Sequence, residues 1–184
     1  LAYPTLSTEW HGLRHDLLPP TSYTLALGLA PRQEWASLAE AAYRQVLERL
    51  PAFAPAVLEL ARLLMRWPGR TADARDVLER HLQHCPSDAE AMDLLGASLS
   101  LIGEYDRAVA AFRQAVLNAQ DTMHKATYLR HCVGVCLELG HLDDAEKDLR
   151  GAEELHPDSW HMHALWSMLQ LERGQQAHAL SRAG

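Results

Sequence analysis

Small residues recur along this chain at a nearly constant interval. Ala39, Ala74, Ala108, Ala145 and Ala179 are separated by 35, 34, 37 and 34 residues, and Gly69, Gly103, Gly140 and Gly174 by 34, 37 and 34. An interval near 34 constrains the fold more than any local propensity does, because one such unit is too small to hide its own apolar face and must stack on its neighbours. The three extra residues fall within residues 121–125, where a longer loop or an added turn costs little.

The clearest unit is Pro86–Gln120, PSDAEAMDLLGASLSLIGEYDRAVAAFRQAVLNAQ. It reads as two amphipathic helices joined at Ile102-Gly103-Glu104. Met92, Leu95, Gly96 and Leu99 form one stripe; Tyr105, Ala108, Phe112, Ala115 and Val116 form the other. Both have the three-and-four spacing of helices that bury one side. Upstream, the pattern predicts helices over 33–50 (Trp35, Leu38, Ala39, Tyr43, Val46 and Leu47 buried), 55–67 and 71–84, with Pro55 in a first turn and Pro68-Gly69 as a turn. Downstream it predicts helices over 123–139, 142–155 and 159–172, with Gly174 turning the chain into a last helix over 175–183. Residues 1–20 stand outside the interval. Ser7-Thr8-Glu9 can cap a short helix carrying Trp10, Leu13 and Leu17, which Pro19-Pro20 ends, and such a segment is expected to cover the first repeat. The expected organisation is thus a capping segment over 1–20 and an array of about four and a half helix pairs over 21–184, divided at 21–53, 54–86, 87–122, 123–158 and an incomplete 159–184.

Composition narrows the function classes. Seventeen basic against 24 acidic residues give a net charge of −7, which disfavours nucleic acid as a partner because phosphate binding needs a basic face. No apolar run is long enough to span a bilayer, so a membrane is not an expected partner either. Cys85, Cys132 and Cys136 make an odd set and no disulfide framework, which points to a reducing, cytoplasmic home. Arginine far outnumbers lysine (Lys125 and Lys147 alone), a usage that fits a GC-rich bacterial genome. The first residue is Leu rather than Met, so the chain is expected to be a fragment or a processed form.

With Leu95-Gly96, Leu99, Gly103, Tyr105, Ala108, Phe112 and Ala115 at these places, the chain resembles the tetratricopeptide repeat family. Cys132, Gly140, Leu142, Ala145, Leu149, Ala152 and Pro157 carry the likeness into the next unit. Ala61, Gly69, Ala74, Leu78 and Pro86 carry it into the previous one, where Arg62 stands at a normally small site. The resemblance implies an all-α, right-handed α-α superhelix. It also implies that the first helix of each pair lines a concave groove, with Glu59, Leu63, Glu90, Asp93, Ala97, Leu101, Thr127, Arg130, Gly134, His161, Ala164 and Met168 facing it. Family members that hold chaperone tails place Lys, Asn and Arg there. Here Glu59, Glu90 and Asp93 take part of that surface, and only Arg130 and neighbouring His131 supply a basic group, which disfavours that role.

Nothing in the sequence marks an active site. There is no nucleophile elbow, phosphate-cradling Gly loop or HExxH, and Asp143-Asp144 and Glu153-Glu154 sit beside helix ends where they are expected to face water. His161 and His163 lie about 200° apart around a helix and cannot easily share an ion. Cys132 and Cys136, one turn apart, could reach a common ligand with His131 or His163. They occupy buried places, however, where free Cys packs as a small apolar residue. His81, His84, His141, His156 and His178 are expected near helix ends, solvated or capping carbonyls, and Trp67 and Trp160 either fill gaps between repeats or serve an interface. No cofactor or metal is expected. The leading expectation is a non-enzymatic scaffold that binds a peptide or protein segment with a basic portion. From the resemblance, a second is a regulatory or substrate-presenting arm of a larger bacterial enzyme such as an oxygenase, sulfotransferase or glycosyltransferase. A third is self-association through the incomplete last unit.

Overall fold

A computed structural model describes residues 36–157 and 160–183, with side chains from 36 to 157 and from 161 to 175. The expected cap over 1–20 and the first helix of the first unit lie outside the described residues, as does the Trp160 side chain. Among the described residues eight helices follow in order: α1 Ala36–Arg49, α2 Ala54–Met65, α3 Thr71–His84, α4 Ala89–Leu101, α5 Tyr105–Asn118, α6 Thr122–Glu138, α7 Leu142–Leu155 and α8 Trp160–Ala183. Each packs mainly on the helix before and the helix after it, the α-solenoid arrangement that the interval demands. The fold is an all-α helical repeat superhelix.

The turns show why glycine recurs. Gly103 and Gly140 sit at φ +82° and +70°, just past the ends of α4 and α6. In each case the next residue reaches back across the last turn: Glu104 N–H to the Leu99 carbonyl and His141 N–H to the Cys136 carbonyl, both 2.9 Å. The glycine N–H bonds in turn to Ser100 and Leu137 at 3.1 and 3.0 Å, which completes a Schellman closure. Gly69, at φ +78°, follows Pro68 in a turn closed by Arg70 N–H on the Trp67 carbonyl at 3.1 Å.

Gly174 departs from this pattern. The turn expected there does not form, and α8 runs through it to Ala183. A glycine inside a helix costs only about 1 kcal/mol, which a continued α8 can absorb. The longer interval before α6 is taken up as helix rather than loop, since α6 has 17 residues against 13 in α4.

The expected stripes are the core. Ala39, Tyr43, Val46, Ala74, Leu78, Leu99, Ala108, Phe112, Ala115, Ala145, Leu149 and Ala152 are all buried, although Leu38, on the flank of its stripe, stays half exposed. The core is close to continuous along the row, because Leu95 packs against both the cluster around α2–α3 and the cluster around α6–α7. Arginines tie the units together at the surface. Arg70 reaches Glu40 at 2.9 Å, Arg107 reaches Glu79 at 2.6 Å, Arg113 reaches Asp144 at 3.2 Å and Arg173 reaches Asp143 at 3.1 Å, each across about thirty residues of sequence. Glu40 is buried, but the other three pairs are exposed, and pairs of that kind contribute little singly.

At the start of α6 the Asp121 carboxylate accepts the His124 N–H at 2.8 Å, capping the helix, and contacts the His124 ring at 2.5 Å. That ring contact holds the imidazole above its usual range and the carboxyl below its own. The stabilisation is therefore lost as pH rises through the raised histidine value, and lost again as pH falls through the depressed carboxyl value. An NMR titration should place the His124 midpoint higher in the native protein than in Asp121→Asn.

Candidate binding surface

Successive first helices touch one another: α2 packs on α4, α4 on α6 and α6 on α8. Among the described residues no two successive second helices meet as extensively. A row that is tighter on one side bends toward that side, so α2, α4, α6 and α8 line the inner face.

The twelve residues expected on that face divide into three groups. Leu63 is a correction, because it is 5% exposed and belongs to the core. Its helix is buried on two sides, between α3 and the neighbouring units, so the surface stripe is narrower than the repeat pattern implies. Leu101 on α4, at 64%, and Met168 on α8, at 51%, are large apolar side chains open to solvent, and Ala164 and His161 are also exposed on α8. The remainder are partly covered, apart from the exposed Glu90. Thr127 donates its hydroxyl to the Met123 carbonyl at 3.0 Å and accepts from Arg130 at 3.2 Å. Ala97 packs at the edge of the core, and a Cβ placed on Gly134 would meet nothing within 4 Å, so there is room beside α6.

The charges on this face are partly paired with each other, which the sequence did not reveal. Arg62 on α2 donates to Glu59 at 2.7 Å and also to Glu90 on α4. His131 Nδ1 on α6 meets Asp93 on α4 at 2.6 Å. A negative field nevertheless remains: burial pushes the Tyr128 hydroxyl up to about 12, and Asp93, Glu90, Asp121 and Asp88 push it the same way. Glu90 and Asp121 each keep half their side chains exposed, whereas Asp93 and Asp88 are largely covered.

Other candidates resolve elsewhere. His81 is not a solvated end residue; it is 1% exposed, with Nε2 on Asp88 at 2.8 Å. Trp67 packs against the core under the Arg70 guanidinium, which is the gap-filling role. Asp143 and Asp144 face water and meet arginines, whereas Glu153 accepts the Trp166 indole N–H at 3.3 Å. Cys132 and Cys136 are fully buried, and Asp148 on α7 joins them, in place of either histidine that the spacing allowed. The Cys132 thiol is held well above its usual range by its hydrogen bond to Cys136, by burial and by Asp148. The available clue was an acid in the stripe of Ala145, Leu149 and Ala152.

Solved structures share this architecture. The protein is similar to MamA of Desulfovibrio magneticus, at 22% identity over 77% of this chain and 78% of that one, with a TM-score of 0.65. It is similar to TTC0263, a thermophilic TPR protein of Thermus thermophilus, at 20% identity over 85% and 84%, with a TM-score of 0.67. It is also similar to the O-GlcNAc transferase of Thermobaculum terrenum, at 28% identity over 62% of this chain and 22% of that one, with a TM-score of 0.54. No family model and no curated protein matches the chain. The fold is the one that tetratricopeptide repeat proteins such as TTC0263 have.

Proposed function

We propose that this protein is a non-enzymatic scaffold that holds an extended or helical protein segment along the inner face. The observation that carries the reading is the presence of exposed Leu101 and Met168 on the same row of helices as Glu90 and Asp93. Apolar anchor points beside acids suit a segment that alternates apolar and basic side chains. Space at Gly134 admits its side chains. Because Arg62 already contacts Glu59 and Glu90, a partner's lysine or arginine must share those carboxylates. The gain per charge is then modest, and Leu101 is the stronger anchor.

A partner recovered with the whole protein, identified and then titrated in pure form should bind several-fold more weakly to Glu90→Lys/Asp93→Lys. It should bind more weakly still to Leu101→Asp, and more tightly to Arg62→Gln, which frees two carboxylates. Unchanged affinity in all three moves the site off this face. A second reading, an arm of a larger enzyme, draws on the transferase match, in which the similar region is about a fifth of that chain. A reading frame that continues into a catalytic domain decides for it.

A further inference from the structure

Two thiols and a carboxylate converge inside the α6–α7 pair. Cys132 and Cys136 stand one turn apart on α6, Asp148 approaches from α7, and one ligand atom from each lies within 4.8 Å of the other two. The cysteines are fully buried and free, and Asp148 is 9% exposed. Asp148 Oδ2 has no hydrogen-bond partner, and its nearest cation, the Arg113 guanidinium, stands off at 3.5 Å while reaching Asp144 at 3.2 Å. A buried carboxylate oxygen that accepts no hydrogen bond and shares one long ion pair with Asp144 is under-satisfied, and a second positive charge can take its free lone pair.

We propose that Cys132, Cys136 and Asp148 form a buried site for a thiophilic divalent cation of the zinc type. Around a tetrahedral zinc with Zn–S near 2.3 Å, neighbouring ligand atoms lie about 3.8 Å apart, so the three groups need to close by only about 1 Å. Thiolate donors select soft or borderline ions over magnesium or calcium. Binding forms two S–metal bonds and one O–metal bond, sends the two thiol protons to solvent and leaves the fourth position to a water. Two thiolates and one carboxylate carry three negative charges, which the divalent ion and the adjacent Arg113 cancel, so the filled site is neutral in its apolar surroundings. His131 is excluded as a ligand through Nδ1, which is engaged with Asp93 at 2.6 Å. The ion would pin α6 to α7 from within. This inference is independent of what binds the inner face.

The test uses the full chain, purified with reductant and chelator, freed of both and titrated with Co²⁺. One equivalent should give thiolate-to-cobalt charge-transfer absorption that Zn²⁺ abolishes by displacement. The band should persist in Cys85→Ser, vanish in Cys132→Ala/Cys136→Ala and appear only at tenfold or more higher Co²⁺ in Asp148→Asn. Zn²⁺ should also raise the melting temperature of the native chain and of Cys85→Ser, but not that of the double variant. Asp148→Asn keeps the side-chain shape and decides the matter if the double variant does not fold. Absence of the band in the folded native chain, or a band of equal strength and affinity in Asp148→Asn, overturns the proposal and leaves three core residues linked by S–H contacts.

Discussion

Phe112→Ala is expected to cost about 3–5 kcal/mol, the range for removing a buried aromatic ring. In a chain of this size that lowers the melting temperature by roughly 6–20 °C, at about 2–4 °C per kcal/mol. The reason lies in what the ring touches. Phe112 is 2% exposed on α5, its edge fits against Gly96 on α4, and its centroid is 5.6 Å from the His131 ring on α6. One side chain therefore joins the two helices of its own unit to the next unit. A Cβ at Gly96 would stand 2.7–2.9 Å from three ring atoms, closer than carbon atoms approach. Gly96→Ala is accordingly expected to cost about 1–3 kcal/mol by overpacking, even though alanine gains roughly 1 kcal/mol over glycine in helix propensity. Thermal unfolding followed by circular dichroism checks both values. The double variant Gly96→Ala/Phe112→Leu should lose less than the sum of its singles, because the smaller side chain makes room for the methyl group. Strict additivity would mean that the two residues do not share the space assigned to them.

The same pair shows what the sequence could and could not convey. A glycine and a phenylalanine at fixed places in two stripes implied a close approach, and the structure has it. Gly69, Gly103 and Gly140 were legible as turns because their positive φ is a backbone demand that few other residues meet. Gly174 looked identical, yet α8 runs through it. Which helices touch one another in a row followed from their order, but how the charges on that row pair did not. Arg62 reaches from α2 to Glu90 across 28 residues, and His131 reaches Asp93 across 38, distances at which periodicity carries no information about pairing. Leu63 was misplaced for a related reason: a stripe read from one repeat does not record which neighbour covers its edge. Asp148 left a trace as an acid on an apolar face, whereas its two thiol neighbours read correctly as buried and hid what they could do together.

Asp88→Ala is expected to cost about 2–4 kcal/mol, which is large for a residue outside the apolar core. Two contributions meet in this side chain. Oδ1 accepts the Ala91 N–H at 3.0 Å and caps α4, a contact worth about 0.5–2 kcal/mol. Oδ2 lies 2.8 Å from Nε2 of His81 in the last turn of α3. A carboxylate only accepts, so Nε2–H is the donor. His81 Nδ1 has no partner in the structure, so removing Asp88 leaves the buried ring with neither nitrogen satisfied, which adds roughly 1–3 kcal/mol. Asp88→Asn separates the two contributions. Its amide oxygen keeps the cap if it takes the Oδ1 place, and an N–H group then faces a ring nitrogen that must turn acceptor or stay unpaired. Its cost should fall well below that of alanine but above zero. Equal melting temperatures for Asp88→Asn and the native chain would reduce the residue to a cap alone. Equal losses for Asn and Ala would make the histidine contact the larger part. Either result bears on how the row is held, because Asp88 fastens the end of one unit to the start of the next through polar contacts, where Phe112 does so through its packing against His131.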